Sequence, residues 1–148
     1  MITLYNIVFT KYLVIDRDQK NLSPRIMVVD DEKDILRILK RDLESSNFEN
    51  RFKVEVFSTS ESALNAFASH PDDYYDLVLT DIRMSKMTGF ELYRRLKERS
   101  PSIKIVFLTA FEIDRKEFDK ILADAHFINK PVSISNLVPK LNSILDKK

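Results

Sequence analysis

The sequence contains no cysteine, no tryptophan and one glycine, Gly89, among its 148 residues. The absence of cysteine excludes disulfides, thiolate zinc sites, iron–sulfur clusters and a cysteine nucleophile. A single glycine excludes a Walker-type phosphate loop and a dinucleotide-binding fingerprint, because both need several glycines for close approach to phosphate. The two histidines, His70 and His126, are too few for a three-histidine zinc site. Several large classes of enzyme are therefore excluded.

The charge balance gives no sign of a nucleic-acid partner. Twenty-four basic residues stand against 23 acidic ones, for a formal net charge of +1. Nucleic-acid binding depends on a concentrated basic field, which this balance lacks, so we expect no nucleic-acid partner. The absence of cysteine is compatible with a reducing compartment, and we expect a cytoplasmic protein.

The chain begins with an apolar segment, Leu4–Ile15, in which nine of twelve residues are apolar. A membrane span needs about 20 such residues, and Asn6 and Lys11 interrupt this one, so stable membrane insertion is not expected. The segment also lacks the features of a signal peptide. Three interpretations remain open: an accessory strand or hairpin, a disordered or wrongly assigned start, and a membrane-surface or partner-binding arm. Residues 16–24 are polar and predict a linker, so residues 1–24 form an N-terminal extension.

From Arg25 onward, short apolar runs alternate with segments of helical periodicity. The predicted strands are 26–29, 52–57, 77–79, 103–108 and 127–128. The predicted helices are 32–45, a second to about 69 capped by Ser60, 90–99, 114–123, and a last one to about 145 capped by Ser133. Continuous apolar strands that alternate with helices predict an α/β fold, a doubly wound five-stranded parallel (β/α)5 sheet with helices on both faces.

Polar residues stand where the predicted strands end. They are Asp30, Asp31, Asp81, Thr109 and Lys130. In an open parallel sheet, ligands bind outside the carboxyl ends of the strands where strand order reverses, so we expect these side chains to converge. Three carboxylates close together repel one another and favour a hard divalent cation. A lysine and a hydroxyl beside them suit a phosphoryl group, for which a carboxylate can be the nucleophile.

Four stretches occur in order at these strand ends: MVVDDE (27–32), DLVLTDIRM (76–84), FLTA (107–110) and NKP (129–131). With them, the chain resembles the receiver domains of two-component response regulators, of the stand-alone, chemotaxis-regulator-like type. The resemblance implies a flavodoxin-like receiver domain over residues 25–146. Little sequence follows the last predicted helix, so we expect no output domain.

The resemblance implies a phosphoacceptor and a Mg²⁺ site. Asp81 looks like the acceptor that takes a phosphoryl group from a phosphohistidine. Asp31 and Asp81 would ligate Mg²⁺ directly, together with the backbone carbonyl of Arg83. Asp30 would act mostly through a bound water.

The resemblance also implies a switch. Lys130 would contact Asp81 and then the phosphoryl group, and Thr109 would hydrogen-bond a phosphoryl oxygen. Phe127 occupies the place of the family's switch aromatic residue. The Lys130–Pro131 peptide bond is expected to be cis, as is usual in this family.

Two positions in the family are thought to tune self-dephosphorylation, and here they are Arg83 and Phe111. Neither residue is a carboxylate or an amide that could orient a water molecule, and the ring of Phe111 would exclude one. We therefore predict a long-lived phosphorylated state. Ser85 stands where the family usually has proline, so we expect a looser loop after Asp81.

The expected function is that of a single-domain response regulator and not of a turnover enzyme. Its expected partners are a sensor histidine kinase or a histidine phosphotransfer protein, and a downstream protein target. Alternatives are an intermediate in a phosphorelay and an adaptor that acts without phosphorylation. A hydrolytic phosphatase with an aspartate nucleophile is a further alternative, but such enzymes typically carry a second acid where Arg83 stands.

Overall fold

The apolar runs of the sequence form five parallel strands in a single sheet of order β2-β1-β3-β4-β5. The computed structural model describes residues 23–45, 52–110, 122 and 124–147. The strands are β1 (Arg25–Val29), β2 (Lys53–Phe57), β3 (Leu77–Thr80), β4 (Lys104–Thr109) and β5 (Ala125–Asn129). The helices in these ranges are α1 (Lys33–Leu43), α2 (Ser60–Ala68), α3 (Gly89–Arg99) and α4 (Ile134–Asp146). The predicted fold class is thereby confirmed.

Two predictions fall on other parts of the chain. Residues 1–22 of the N-terminal extension lie outside the described residues, and so does the helix predicted at 114–123, apart from Leu122. Within the described ranges, no helix has the length and apolar character needed to cross a membrane.

Helices cover both faces of the sheet, which explains why the strands are apolar at successive positions. In β1, Ile26 and Val28 belong to one buried cluster, whereas Met27 and Val29 belong to the other. The first cluster includes residues of α1 and α4: Leu36, Leu43, Leu137, Val138, Leu141 and Ile144. The second includes residues of α2 and α3: Ala63, Phe67, Leu92, Tyr93 and Leu96. Close packing in the two clusters fixes the positions of the strands, and therefore also the positions of the residues at their carboxyl ends.

The helix caps follow the sequence with one correction. Ser133 caps α4 as predicted, its hydroxyl accepting a hydrogen bond from the Asn136 N–H at 3.3 Å. The prediction that Ser60 caps α2 is wrong, because Thr59 accepts the bond from the Ser62 N–H at 3.1 Å. Ser60 is instead the first residue of the helix and donates its hydroxyl to the Met87 carbonyl at 3.2 Å. Two adjacent hydroxyl residues made the local signal ambiguous by one position.

Candidate functional site

The site lies where the strand order reverses, between β1 and its neighbour β3. Asp30 and Asp81 follow these two strands directly, and their backbone amides continue the ladder beyond the strands. The Asp30 N–H donates to the Phe57 carbonyl at 3.1 Å, and the Asp81 N–H donates to the Val29 carbonyl at 3.0 Å. These bonds hold both acids at the carboxyl edge of the sheet, where ligands bind in open α/β folds.

Three carboxylates converge at this edge. Asp30, Asp31 and Asp81 each offer one carboxylate oxygen, and these oxygens all lie within 4.8 Å of one another. Asp30 is buried, Asp81 is half-buried and Asp31 is exposed. Hard divalent cations such as Mg²⁺ prefer such oxygen ligands, and a cation relieves the repulsion between like charges. The cluster therefore has a suitable donor set for a divalent metal ion.

Lys130 supplies positive charge to the same cluster. Its Nζ lies 3.0 Å from Asp30 Oδ2 and 3.5 Å from Asp81 Oδ2, and its side chain is 16% exposed. Burial alone would lower the pKa of Lys130. The hydrogen bond to Asp30 and the charges of Asp30 and Asp81 outweigh burial and raise this pKa above the ordinary lysine value. Lys130 is therefore a permanent cation beside Asp81 at physiological pH.

Backbone amides fix the two inner carboxylates. The Glu32 N–H donates to Asp30 Oδ1 at 2.9 Å, and the Ile82 N–H donates to Asp81 Oδ1 at 2.7 Å. Each of these acids thus uses one oxygen for the backbone and turns the other toward Lys130. These amide contacts were not anticipated from the sequence, because backbone donors carry no residue-type signal. They orient Asp81 before any ligand binds.

Lys130 and Thr109 stand side by side at the ends of β5 and β4. The Lys130 N–H donates to the Thr109 carbonyl at 2.7 Å, and the Lys130–Pro131 peptide bond is cis. Thr109 is fully buried as the last residue of its strand. All five polar residues that the sequence places at strand ends therefore lie at one edge of the sheet.

Phe127 lies inward, against the second buried cluster. It pairs with Phe107 across β4 and β5, and the two rings stack with centroids 5.2 Å apart and an interplanar angle of 25°. Phe107 also contacts Phe90 of α3 with a centroid distance of 5.2 Å. Phe127 thus connects the β5 edge of the sheet with α3, through a ring that is itself half-buried.

The loop after Asp81 depends on the only glycine. The Gly89 N–H donates to the Ile82 carbonyl at 2.8 Å, and a Cβ on Gly89 would lie 2.1 Å from the Asp81 carbonyl oxygen. No side chain fits in that space. Close approach of two backbone segments, one of which carries Asp81, therefore requires glycine here.

The same loop holds a strained residue that the sequence does not signal. Lys86 has φ of 70°, in the left-handed region that non-glycine residues rarely occupy. The Met87 N–H donates to the Ser85 carbonyl at 2.9 Å, which closes a tight turn around Lys86. Arg83 is exposed on this loop, and Phe111 lies outside the described residues.

Comparison with known proteins assigns this arrangement to a family. A family model described as the response regulator receiver domain matches residues 26–142. This chain belongs to the response regulator receiver family. Receiver domains are signalling domains that interact with histidine kinases and downstream targets, and they are not turnover enzymes.

Similar receivers occur alone and as parts of longer proteins. The receiver protein CpdR of Brucella abortus (strain 2308) is 33% identical over 122 residues, covering 82% of this chain and 96% of CpdR. The heme response regulator HssR of Staphylococcus saprophyticus is 30% identical, and the match covers 82% of this chain but 51% of HssR. This receiver thus spans about half the length of several relatives, such as PhoP of Bacillus subtilis, of which 49% is covered.

Solved receiver structures have the same fold. A CheY-like receiver from Methanospirillum hungatei JF-1 matches with a TM-score of 0.72 and 28% identity, over 84% of this chain and 94% of that one. The response regulator TrrA of Thermotoga maritima, solved in complex with Mg²⁺ and BeF, matches with a TM-score of 0.68 and 30% identity. That match covers 82% of this chain and 98% of TrrA.

Proposed function

We propose that this receiver accepts a phosphoryl group on Asp81 from a phosphohistidine of a sensor kinase or a phosphotransfer protein. The bond between phosphorus and the histidine nitrogen breaks as a bond from Asp81 Oδ2 to phosphorus forms. The observation that carries the proposal is that Asp81 belongs to the acidic cluster and that its Oδ2 lies 3.5 Å from Lys130 Nζ. A carboxylate so placed can act as the nucleophile, while the Ile82 N–H holds its other oxygen.

Mg²⁺ would be held by Asp31, Asp81 and the backbone carbonyl of Arg83, with Asp30 acting through a water molecule. When bound, the ion supplies positive charge that neutralises the phosphoryl oxygens, which phosphoryl transfer needs more than covalent assistance. Lys130 supplies a second positive charge from the β5 side. The complex of TrrA with Mg²⁺ and BeF supports the same chemistry here.

Phosphorylation adds about two negative charges to this cluster. In our proposal, Thr109 hydrogen-bonds a new phosphoryl oxygen, and Phe127 changes its packing against Phe107 and so alters a partner-binding surface. We further propose that residues 25–146 form the receiver and that it acts in the cytoplasm without a nucleic-acid partner. A step in a phosphorelay remains an alternative that uses the same acceptor.

Beryllofluoride and acetyl phosphate, each with Mg²⁺, distinguish the proposed function from its alternatives. A receiver is expected to bind one beryllofluoride per chain and to retain one phosphoryl group. A phosphatase would release phosphate over many turnovers. An adaptor that acts without phosphorylation would respond to neither reagent. Affinity capture from the source cell with and without beryllofluoride would then identify partners that bind only one state.

Asp31→Asn is expected to weaken Mg²⁺ binding by at least about tenfold, because it removes one anionic ligand from a small oxygen donor set. Asp30→Asn is expected to weaken it less, because Asp30 is already engaged by Lys130 and the Glu32 amide. Mg²⁺ titration followed by NMR of the aromatic side chains measures both. Asp34→Asn, at an exposed position of α1, is the control. Unchanged affinity in Asp31→Asn would refute the metal site.

Arg83→Asn combined with Phe111→Glu is expected to shorten the phosphorylated lifetime by at least about tenfold, because both new side chains can orient an attacking water. Loss of the phosphoryl group is timed after excess donor has been removed. Arg94→Asn, which changes an exposed arginine of α3, should leave the lifetime unchanged. If the double variant keeps its phosphoryl group as long as the native protein, these residues do not shield the acyl phosphate.

A further inference from the structure

Strand β2 lies at an edge of the sheet. Among the residues that the structure describes, β2 pairs only with β1. The Lys53 N–H donates to the Pro24 carbonyl at 2.9 Å, and the Phe57 carbonyl accepts from the Asp30 N–H at 3.1 Å. The backbone groups of Lys53 and Phe57 therefore face β1. Those of the alternating residues face away from β1, and unpaired groups on that side of a strand are a template for another strand.

The end of helix α1 covers this edge. The Phe52 N–H donates to the Leu43 carbonyl at 3.3 Å. The Val54 N–H donates to Glu44 Oε1 at 3.1 Å, and the Val54 carbonyl accepts from Lys40 Nζ at 2.7 Å. Lys40 and Glu44 also form an ion pair at 2.9 Å. Three outward groups of the edge, the N–H of Phe52 and both backbone groups of Val54, are thus bonded by one helix end, which we call the edge cap (Lys40, Leu43 and Glu44).

We propose that the edge cap prevents strand β2 of a second copy of this chain from pairing with the outer edge of β2. A two-fold axis at Val54 would set two β2 strands antiparallel, so that each Val54 exchanges both backbone hydrogen bonds with its counterpart. The same register places Lys53 opposite Glu55 of the other copy, which is a favourable cross-strand pair. The strand is therefore complementary to itself, and the edge cap occupies the groups through which it would pair.

The cap opposes this pairing because the outward groups of Val54 already have partners with full charges. Hydrogen bonds to charged groups are stronger than neutral ones, and strand addition must break them first. Lys40 and Leu43 belong to α1 and Glu44 follows its last residue, and none of the three belongs to the acidic cluster. The proposal is therefore independent of the phosphoacceptor role and is tested without phosphorylation.

Hydrogen exchange at the Val54 amide of the full-length chain is the first test. Glu44→Ala is expected to raise the exchange rate of the Val54 amide at least about tenfold. The substitution removes the carboxylate that accepts from this N–H, which points away from β1 and so has no acceptor in the β1–β2 ladder. Glu44→Gln should restore part of the protection, since its amide oxygen also accepts. Asp34→Ala removes an exposed acid from the same helix and should change nothing. Equal exchange at Val54 in the native protein and Glu44→Ala would overturn the proposal.

Sedimentation of a double variant is the second test. Lys40→Ala with Glu44→Ala is expected to double the mass measured for the native protein at equal concentration. Asp34→Ala with Arg37→Ala, which breaks an exposed ion pair of the same helix, should sediment like the native protein. Adding Lys53→Glu to the first double variant should reverse the association, because two acids would then face each other. If the first double variant is folded by circular dichroism but keeps the native mass, the edge cap does not guard against self-association.

Discussion

Asp81→Asn is expected to abolish phosphorylation of this receiver while preserving its fold. The substitution replaces one carboxylate oxygen with an amide nitrogen, which is not a nucleophile for phosphoryl transfer. The Asn side chain has the same shape, and its oxygen can still accept the 2.7 Å hydrogen bond from the Ile82 N–H. Intact-protein mass spectrometry after treatment with acetyl phosphate and Mg²⁺ measures the adduct directly.

Two comparisons make that result specific. Asp34→Asn changes an exposed acid of α1 and should leave the adduct at the native level. Lys130→Met should reduce the rate of adduct formation without removing the acceptor, because it removes the cation 3.5 Å from Asp81 Oδ2. A full adduct in Asp81→Asn would place the acceptor at another residue and contradict the proposed function.

Gly89→Ala is expected to destabilise the protein by about 3 kcal/mol, at the upper end of typical overpacking costs. Helix propensity alone predicts the opposite sign, since alanine is favoured over glycine by about 1 kcal/mol inside a helix. The contact decides between them, because the new Cβ would lie 2.1 Å from the Asp81 carbonyl oxygen and 3.0 Å from Ile82 Cα. Both neighbours are backbone atoms, so relief requires movement of the segment that carries Asp81. Urea unfolding gives the change in free energy.

Thr88→Ala is the matched control for this substitution. It removes the hydroxyl that caps α3 through the Glu91 N–H at 3.2 Å, and it should cost about 1 kcal/mol. A change of that size shows what a defect at the start of the same helix costs without a backbone clash. If Gly89→Ala is at least as stable as the native protein, the backbone at Asp81 and Ile82 can move away from the new Cβ at little cost, and the prediction is wrong.

Local patterns predicted most of the elements but not every boundary. Continuous apolar runs identify the strands because burial on both faces leaves little place for polar residues, as in β3. Helix boundaries are less certain: the sequence predicts Ser60 as the N-cap of α2, whereas the structure has Thr59 there. Either hydroxyl can cap a helix, and the choice depends on the contact of Ser60 with Met87, which lies 27 residues further along the chain.

The sequence by itself determined the alternation of strands and helices and the polar residues at the strand ends, because periodicity and residue type are local properties. Only the tertiary structure decided how those residues meet. Lys130 Nζ lies closer to Asp30, 100 residues away, than to Asp81, although β3 is nearer to β5 in the sheet than β1 is. The direction and reach of the side chains, and not the strand order alone, therefore set these distances. The need for glycine at position 89 is also decided by tertiary structure. The backbone of Gly89 packs against the backbone of Asp81, and this contact, not helix propensity, determines which residue fits.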